Sequence, residues 1–369
     1  MSGFAQLLAD VRTRVDAALG DWLAPRVASA ASISAEVGAA AEAARDLSLR
    51  GGKRLRAALV GVGHQAFAGA ARDDVVPAMI AIELLQTYLL IHDDWMDDDD
   101  VRRGGPSVHM LLRKRFGSKE LGDTGAVLAG DLASGWAQEA LLSCAPAIAP
   151  ERVLRAAKAY ARINIDVVTG QLAEMGMGAG AGAPEAAAQA GAKRPESSRA
   201  VSGVGVSGAK PLTLETVHAL KTASYTVTGP LLVGAALGGA DEASAAGLER
   251  YGRPLGIAFQ LRDDLLGTFG DPVATGKPVW NDIRQGKRTA LVAELLRDEA
   301  GAAAWAHRAD VEGVVRAMET TGAKARVEAR VRELCDEARA ALDALAPTIT
   351  EPGRLALEGA VRALGERAS

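Results

Sequence analysis

The feature that most constrains this chain is a helical period in its apolar residues that returns along nearly its whole length. Phe4–Leu19, Val75–Asp97, Glu151–Met175, Leu214–Leu237, Ala243–Phe269 and Ala323–Leu345 all carry apolar side chains at helical spacing. Convincing strand alternation with hairpin turns is missing, and Pro and Gly fall mostly between the periodic segments. Hydrophobic residues make up 49% of the 369, yet aromatics only 4%, so the apolar surface comes largely from Ala, Leu and Val. Ala and Leu lose little side-chain entropy in a helix, which favours helices over a sandwich or barrel. An all-α fold with a large buried core is the expectation.

The net charge of −4 and pI of about 5.9 give no bulk attraction to nucleic acid or anionic lipid. A site for an anionic substrate must therefore be built locally. Two cysteines, Cys144 and Cys335, stand far apart without metal-type spacing. Met1 to Arg14 lacks a signal-type apolar run, and the apolar stretch Thr228–Ala240 is short and Gly-rich for a membrane span. No membrane span and a cytoplasmic location are expected. Residues 176–210 are rich in Gly, Ala and Ser without large apolar anchors, and read as a flexible surface insertion in a single domain covering 1–369.

The most informative stretch is Leu89–Gly105, where an apolar helical run leads into Asp93, Asp94, Asp97, Asp98, Asp99 and Asp100, then Arg102 and Arg103. On a helix Asp93 and Asp97 share a face about 6 Å apart along the axis. Two carboxylates near a helix C-terminus repel each other and the helix dipole, so the arrangement is costly unless a cation neutralises it. Oxygen-only ligands point to Mg²⁺, which joins a few carboxylates to substrate phosphates. By itself such a run also fits a solvated acidic turn.

A second apolar helix carries Gln260, Arg262, Asp263 and Asp264. Basic residues that could grip a diphosphate lie elsewhere: Lys53, Arg54 and Arg56 after Gly51-Gly52, then Lys221 with Thr222, Lys277 and Lys287. Taken singly, each fits a solvated surface residue. Together, GGKRLR, DDWMD followed by RRG, GQ at Gly170–Gln171, KT, FQLRDD and the later GK and GKR lysines resemble the trans-type polyprenyl synthases, the head-to-tail isoprenyl diphosphate synthases. The motifs occur in that family's order over roughly Gly51 to Thr289.

The resemblance implies an isoprenoid-synthase-type helical bundle around a central cavity, usually a homodimer. It implies Mg²⁺ on Asp93 and Asp97 of one wall and Asp263 of the other. It assigns Lys53, Arg56, Gln86 and Arg103 to isopentenyl diphosphate, and Arg102, Lys221, Thr222, Gln260, Lys277 and Lys287 to an allylic diphosphate. Three positions depart from the family pattern: Gly267 replaces a common third Asp, Glu174 stands where Asp is frequent, and Ala57 follows GGKRLR where Pro is usual. Tyr88 and Leu89, five and four residues before Asp93, fall where the family sets chain length. Tyr88 also fits an ordinary core aromatic. A geranylgeranyl product is expected, with farnesyl second. A class I terpene cyclase is disfavoured by Asp263-Asp264 and by Lys53 and Arg56; a non-catalytic regulatory subunit has only Gly267 and Glu174 in its favour.

Overall fold

The computed structural model describes residues 3–69, 73–180, 212–271 and 279–366. In chain order the helices are α1 (Gly3–Ile33), α2 (Ala35–Leu49), α3 (Leu55–Ala68), α4 (Val76–Met96), α5 (Val108–Phe116), α6 (Lys119–Leu142), α7 (Pro150–Gly180), α8 (Leu214–His218), α9 (Gly229–Gly238) and α10 (Glu242–Phe269). Shorter helices follow from Asn281, before Ala323–Leu345 and Glu351–Val361. Among the described residues the sole sheet is an antiparallel ribbon of Val101–Arg102 (β1) with Gly105–Pro106 (β2). The expected all-α fold is borne out.

Several boundaries differ from the sequence periods. The period Phe4–Leu19 becomes a helix running to Ile33 with Pro25 inside it. Proline removes one helical hydrogen bond at a cost of about 3 kcal/mol, but Leu19, Leu23 and Ala30 are buried on both sides and hold the helix together. Helix α7 continues through Gly180, so the first residues of the expected insertion are helical; 181–210 lie outside the described residues.

The period Leu214–Leu237 is split by a π-helical segment, Ala219–Thr228. Pro230 has no N–H for the carbonyl four residues back, and its ring crowds that carbonyl, so a regular α-turn cannot pass through unchanged. Widened turns of this kind occur at functional sites, and this one carries Lys221 and Thr222.

The chain forms two compact units. The first comprises Met1–Ala161, Gly229–Glu249 and Leu342–Ala360; the second comprises Arg162–Thr228, Arg250–Ala341 and Val361–Ser369. Helix α4 is the core of the first unit, burying Ala78, Ile80, Ile82, Leu84, Leu85 and Ile91. The stretch Asp73–Met96 is apolar and long enough to cross a membrane, with mean hydropathy 1.6, a candidate that the sequence reading passed over for Thr228–Ala240. Its most apolar window is mostly buried inside the protein, which already covers that surface.

Beside α4, helices α3 and α9 approach backbone to backbone. A Cβ on Gly234 would fall on the Val60 carbonyl, and one on Gly63 on that of Leu231. In the second unit, α10 buries Tyr251, Leu255, Ala258 and Leu261. Its Gly256 lies against Ala223 of the π-segment, 2.5 Å from the Ala223 Cα to the position a Cβ would take.

Candidate active site

In the first unit, the loop entering α3 adopts conformations that glycine permits. Gly51 and Gly52 have φ of +60° and +141°, and Arg54 follows at +49°. Arg54 turns inward, 3% exposed, donating to Glu83 at 2.8 Å, Asp16 at 2.7 Å and the Ser48 carbonyl at 2.9 Å. Glu83, also 3% exposed, accepts the Ala57 N–H at 3.3 Å, a bond the family's usual proline could not donate. This buried pair clamps the loop. Lys53 is left exposed and Arg56 half-buried.

The ribbon β1–β2 turns through Arg103 and Gly104, with φ of +52° and +72°. Two successive positive values define a type I′ hairpin turn; a non-glycine residue there stores about 1–3 kcal/mol of strain. The turn directs Arg103 back to the glycine loop, where Nη1 donates to the Gly51 carbonyl at 3.1 Å. With its amide oxygen facing the guanidinium groups, Gln86 accepts from Arg56 at 3.1 Å and from Arg103 at 3.2 Å. Three of the four residues expected to hold isopentenyl diphosphate thus meet, although they come from three separate elements.

Helix α4 ends at the first acidic motif, as its spacing predicts. The Asp97 N–H donates to the Asp93 carbonyl at 2.9 Å, so the two carboxylates are one turn apart. Asp93 is half-buried and Asp97 exposed. Asp94 is fully buried and bound by Arg102, whose Nε donates at 2.6 Å. Burial raises the Asp94 pKa despite Arg102. Arg102 also reaches Asp99 at 3.3 Å, so carboxylates already hold it in place. Tyr88 is half-buried, edge-on to His92 with ring centroids 4.8 Å apart, and Leu89 is half-buried beside it in sequence.

The second unit repeats this division of labour. Asp263 is exposed, whereas Asp264 is 6% exposed, accepting from Gln260 at 2.9 Å and from the Ala290 N–H at 3.3 Å. Burial pushes Asp264 up to about 7, with Asp282 and Asp263 adding repulsion. Thr222 donates to Gln260 at 3.0 Å, linking the π-segment to α10. Lys221 is ion-paired with Glu174 of α7. Gly170 lets α7 and the π-segment come this close, since a Cβ there would sit 2.6 Å from the Lys221 backbone nitrogen. Lys287 is exposed, its backbone N–H bonded to the Asp282 carbonyl at 2.8 Å. Lys277 lies outside the described residues.

The pattern of the Polyprenyl synthetase family matches residues 39–319. The chain belongs to that family. Among relatives of this polyprenyl synthetase is the geranylgeranyl diphosphate synthase of Sulfolobus acidocaldarius, 33% identical over 72% of this chain and 69% of that enzyme. The (2E,6E)-farnesyl diphosphate synthase of Mycobacterium tuberculosis is 33% identical over 70% of this chain and 61% of its own length. A crystal structure of Corynebacterium glutamicum geranylgeranyl pyrophosphate synthase, complexed with isoprenyl diphosphate and magnesium, superposes with a TM-score of 0.81. It covers 98% of this chain and 99% of its own, at 30% identity.

Within the synthetase motifs, Arg54 counts by sequence among the groups that could grip a diphosphate, whereas the structure makes it a buried strut; Glu83 was missed, and Asp94 and Asp264 carried no role of their own. Neighbouring residues on a helix point about 100° apart, so one Asp of each pair turns inward and the other outward. Glu83 had a signal: a carboxylate in the middle of the apolar run of α4 requires a buried cation.

Proposed function

We propose that this chain is a magnesium-dependent prenyltransferase that condenses isopentenyl diphosphate with an allylic diphosphate, giving a short all-trans prenyl diphosphate, geranylgeranyl foremost and farnesyl second. The observation that carries this reading is the meeting of Gln86 with Arg56 and Arg103 beside the glycine loop. Two guanidinium forks and an amide around one point suit diphosphate oxygens. Lys53 adds an exposed ammonium on the same loop.

The donor set fits magnesium. Asp93 and Asp97 offer only oxygen, one turn apart at the negative end of a helix. Among the described residues no three His, Cys, Asp or Glu side chains gather into a preformed cage. That suits an ion held by one or two carboxylates and completed by substrate phosphates. Asp263 offers the corresponding exposed carboxylate in the second unit. When bound, magnesium would neutralise charge developing on the departing diphosphate.

The chain's own groups supply the rest. Arg102, Lys221, Lys277 and Lys287 add positive charge for the leaving group, while Thr222 and Gln260 orient it. Lys53, Arg56, Gln86 and Arg103 anchor isopentenyl diphosphate so that its double bond attacks the allylic carbon. The released diphosphate accepts the proton lost afterwards, so no protein nucleophile is needed. Cytoplasmic location, one reaction served by the whole chain, and a homodimer belong to the same proposal. Leu121, Leu128 and Leu142 of α6 leave an exposed apolar stripe that a second copy could cover.

The test is to incubate the purified chain with isopentenyl diphosphate, Mg²⁺ and each short allylic diphosphate, then measure products by mass. Geranylgeranyl diphosphate is the expected main product; no condensation with any primer would refute the reading. Tyr88→Ala removes the half-buried ring before the first Asp motif and is expected to lengthen the main product by one or more isoprene units. An unchanged distribution would show that Tyr88 only packs against His92.

A further inference from the structure

Lys221 and Thr222 are neighbours on the π-segment, yet each is held by a different helix. The Thr222 hydroxyl donates to Gln260 of α10 at 3.0 Å, while the Lys221 ammonium is ion-paired with Glu174 of α7. Helix α7 is shaped to receive that lysine. Gly170 and Glu174 share a helix face and lie about 6 Å apart along the axis, close to the reach of a lysine side chain. A Cβ on Gly170 would sit 2.9 Å from both the Cα and the Cβ of Lys221. The lysine therefore starts against Gly170 and ends on the Glu174 carboxylate one turn further along.

The groups around this pair leave it to itself. His218, at the end of α8, is 9% exposed, and burial holds its pKa down to about 4, so the ring is neutral near pH 7. Glu215, the other carboxylate acting on His218, accepts from Arg330 at 2.8 Å. Among the described residues Glu174 joins no group of three metal-type side chains. The Lys221 side chain is 30% exposed and that of Glu174 50%. An ion pair so open to water is held weakly. A diphosphate, with more charge and more acceptor oxygens than one carboxylate, can take its place on the ammonium.

We propose that Glu174 is the resident counter-ion of Lys221, a positioning residue that lays the ammonium along α7 while the site is empty and yields it to the allylic diphosphate. This inference rests on the proposed prenyltransferase reading. It gives Glu174, one of the departures from the family pattern, a role apart from metal. The extra methylene of Glu over Asp adds the reach with which the carboxylate meets the lysine end. Because Glu174 must give up Lys221 before diphosphate can use it, the pair lowers diphosphate affinity, the opposite of what a metal ligand would do.

The experiment follows the melting temperature of the intact protein with inorganic diphosphate, first in a chelator and then with Mg²⁺ titrated. Wild type, Glu174→Gln, Lys221→Met and the double variant are compared, with product formation measured in parallel. Both side chains are partly exposed, so the variants should fold. In the chelator, Glu174→Gln is expected to lower the diphosphate concentration for half-maximal stabilisation by about two- to fivefold. Most of that gain should vanish in the Lys221→Met background, and the Mg²⁺ requirement should stay as in wild type. The KM for the allylic diphosphate should fall in step with the binding gain. Unchanged or weaker diphosphate binding in Glu174→Gln, the same gain without Lys221, or a raised Mg²⁺ requirement would overturn the inference alone. A wild type that is stabilised by diphosphate through Lys221 yet forms no product with any primer would overturn the proposed function.

Discussion

Asp93→Ala is expected to lower turnover by at least about a hundredfold to a thousandfold, the scale seen when a group stabilising transition-state charge is removed. The fold should survive. Asp93 stands in the last turn of α4, where the helix dipole is negative and Asp97 follows one turn later. A carboxylate in that place opposes the dipole by about 0.3–1 kcal/mol, while Arg102 attracts it in part. Its removal should therefore shift unfolding by less than about 1 kcal/mol in either direction. Circular dichroism and melting report the fold, and product formation reports the chemistry. The Mg²⁺-dependent stabilisation by diphosphate should weaken in step with turnover. Full activity in the variant would remove Asp93 from the metal site. A collapse of the fold would show instead that the carboxylate is structural, as Asp94 is.

The second large effect is on stability. Glu83→Ala is expected to cost about 3–5 kcal/mol, because it leaves the Arg54 guanidinium buried without its main counter-charge. Asp16, itself partly exposed, and the Ser48 carbonyl remain, but they engage other nitrogens of the fork. Denaturant unfolding monitored by circular dichroism would measure the loss. Replacing both partners, as Arg54→Met with Glu83→Leu, should recover much of it, since a well-packed apolar pair avoids the desolvation of two ions. The double variant should still bind isopentenyl diphosphate more weakly than wild type, seen as a raised KM. The reason is that the ion pair also sets the loop from which Lys53 and Arg56 project. Equal stability of Glu83→Ala and wild type would mean that Arg54 is satisfied without Glu83.

These two residues mark how far the site was legible. The Asp93–Asp97 pair could be read directly, because a spacing of four near the end of an apolar helical run fixes both the face and the charge conflict. The membership of Arg56, Gln86 and Arg103 in one cluster could be named only through resemblance. They lie on the first turn of α3, the middle of α4 and a two-residue hairpin turn, and no local pattern joins those elements. The choice of Asp93 and Asp263 over Asp94 and Asp264 likewise came through resemblance, since no local pattern separates the members of a pair. Only packing distinguishes them, through Arg102 in one case and through Gln260 with the Ala290 amide in the other.

The same contrast runs through the fold. The helix Ala323–Leu345 has the bounds its period predicts, and α4 and α10 differ from theirs by a residue at the ends. Their apolar stripes are long and uninterrupted, and such stripes need no outside information. The π-segment was read as ordinary helix because apolar period cannot distinguish a wide turn from a regular one; the Gly229-Pro230 pair was the local sign that something had to yield. Helix α1 outruns its period, continuing past Pro25 because Leu19 and Leu23 before the proline and Ala30 after it are buried.

What the sequence by itself determined, then, is the helical class, the two acidic motifs and the order of the basic segments, because periodicity, charge spacing and motif order are local or linear properties of the chain. The tertiary structure alone decided which Asp of each pair is buried, that Arg54 is a buried strut, and that Arg56 and Arg103 gather around Gln86. Those outcomes depend on contacts between segments tens of residues apart, and the burial that sets them exists only once the helices have packed.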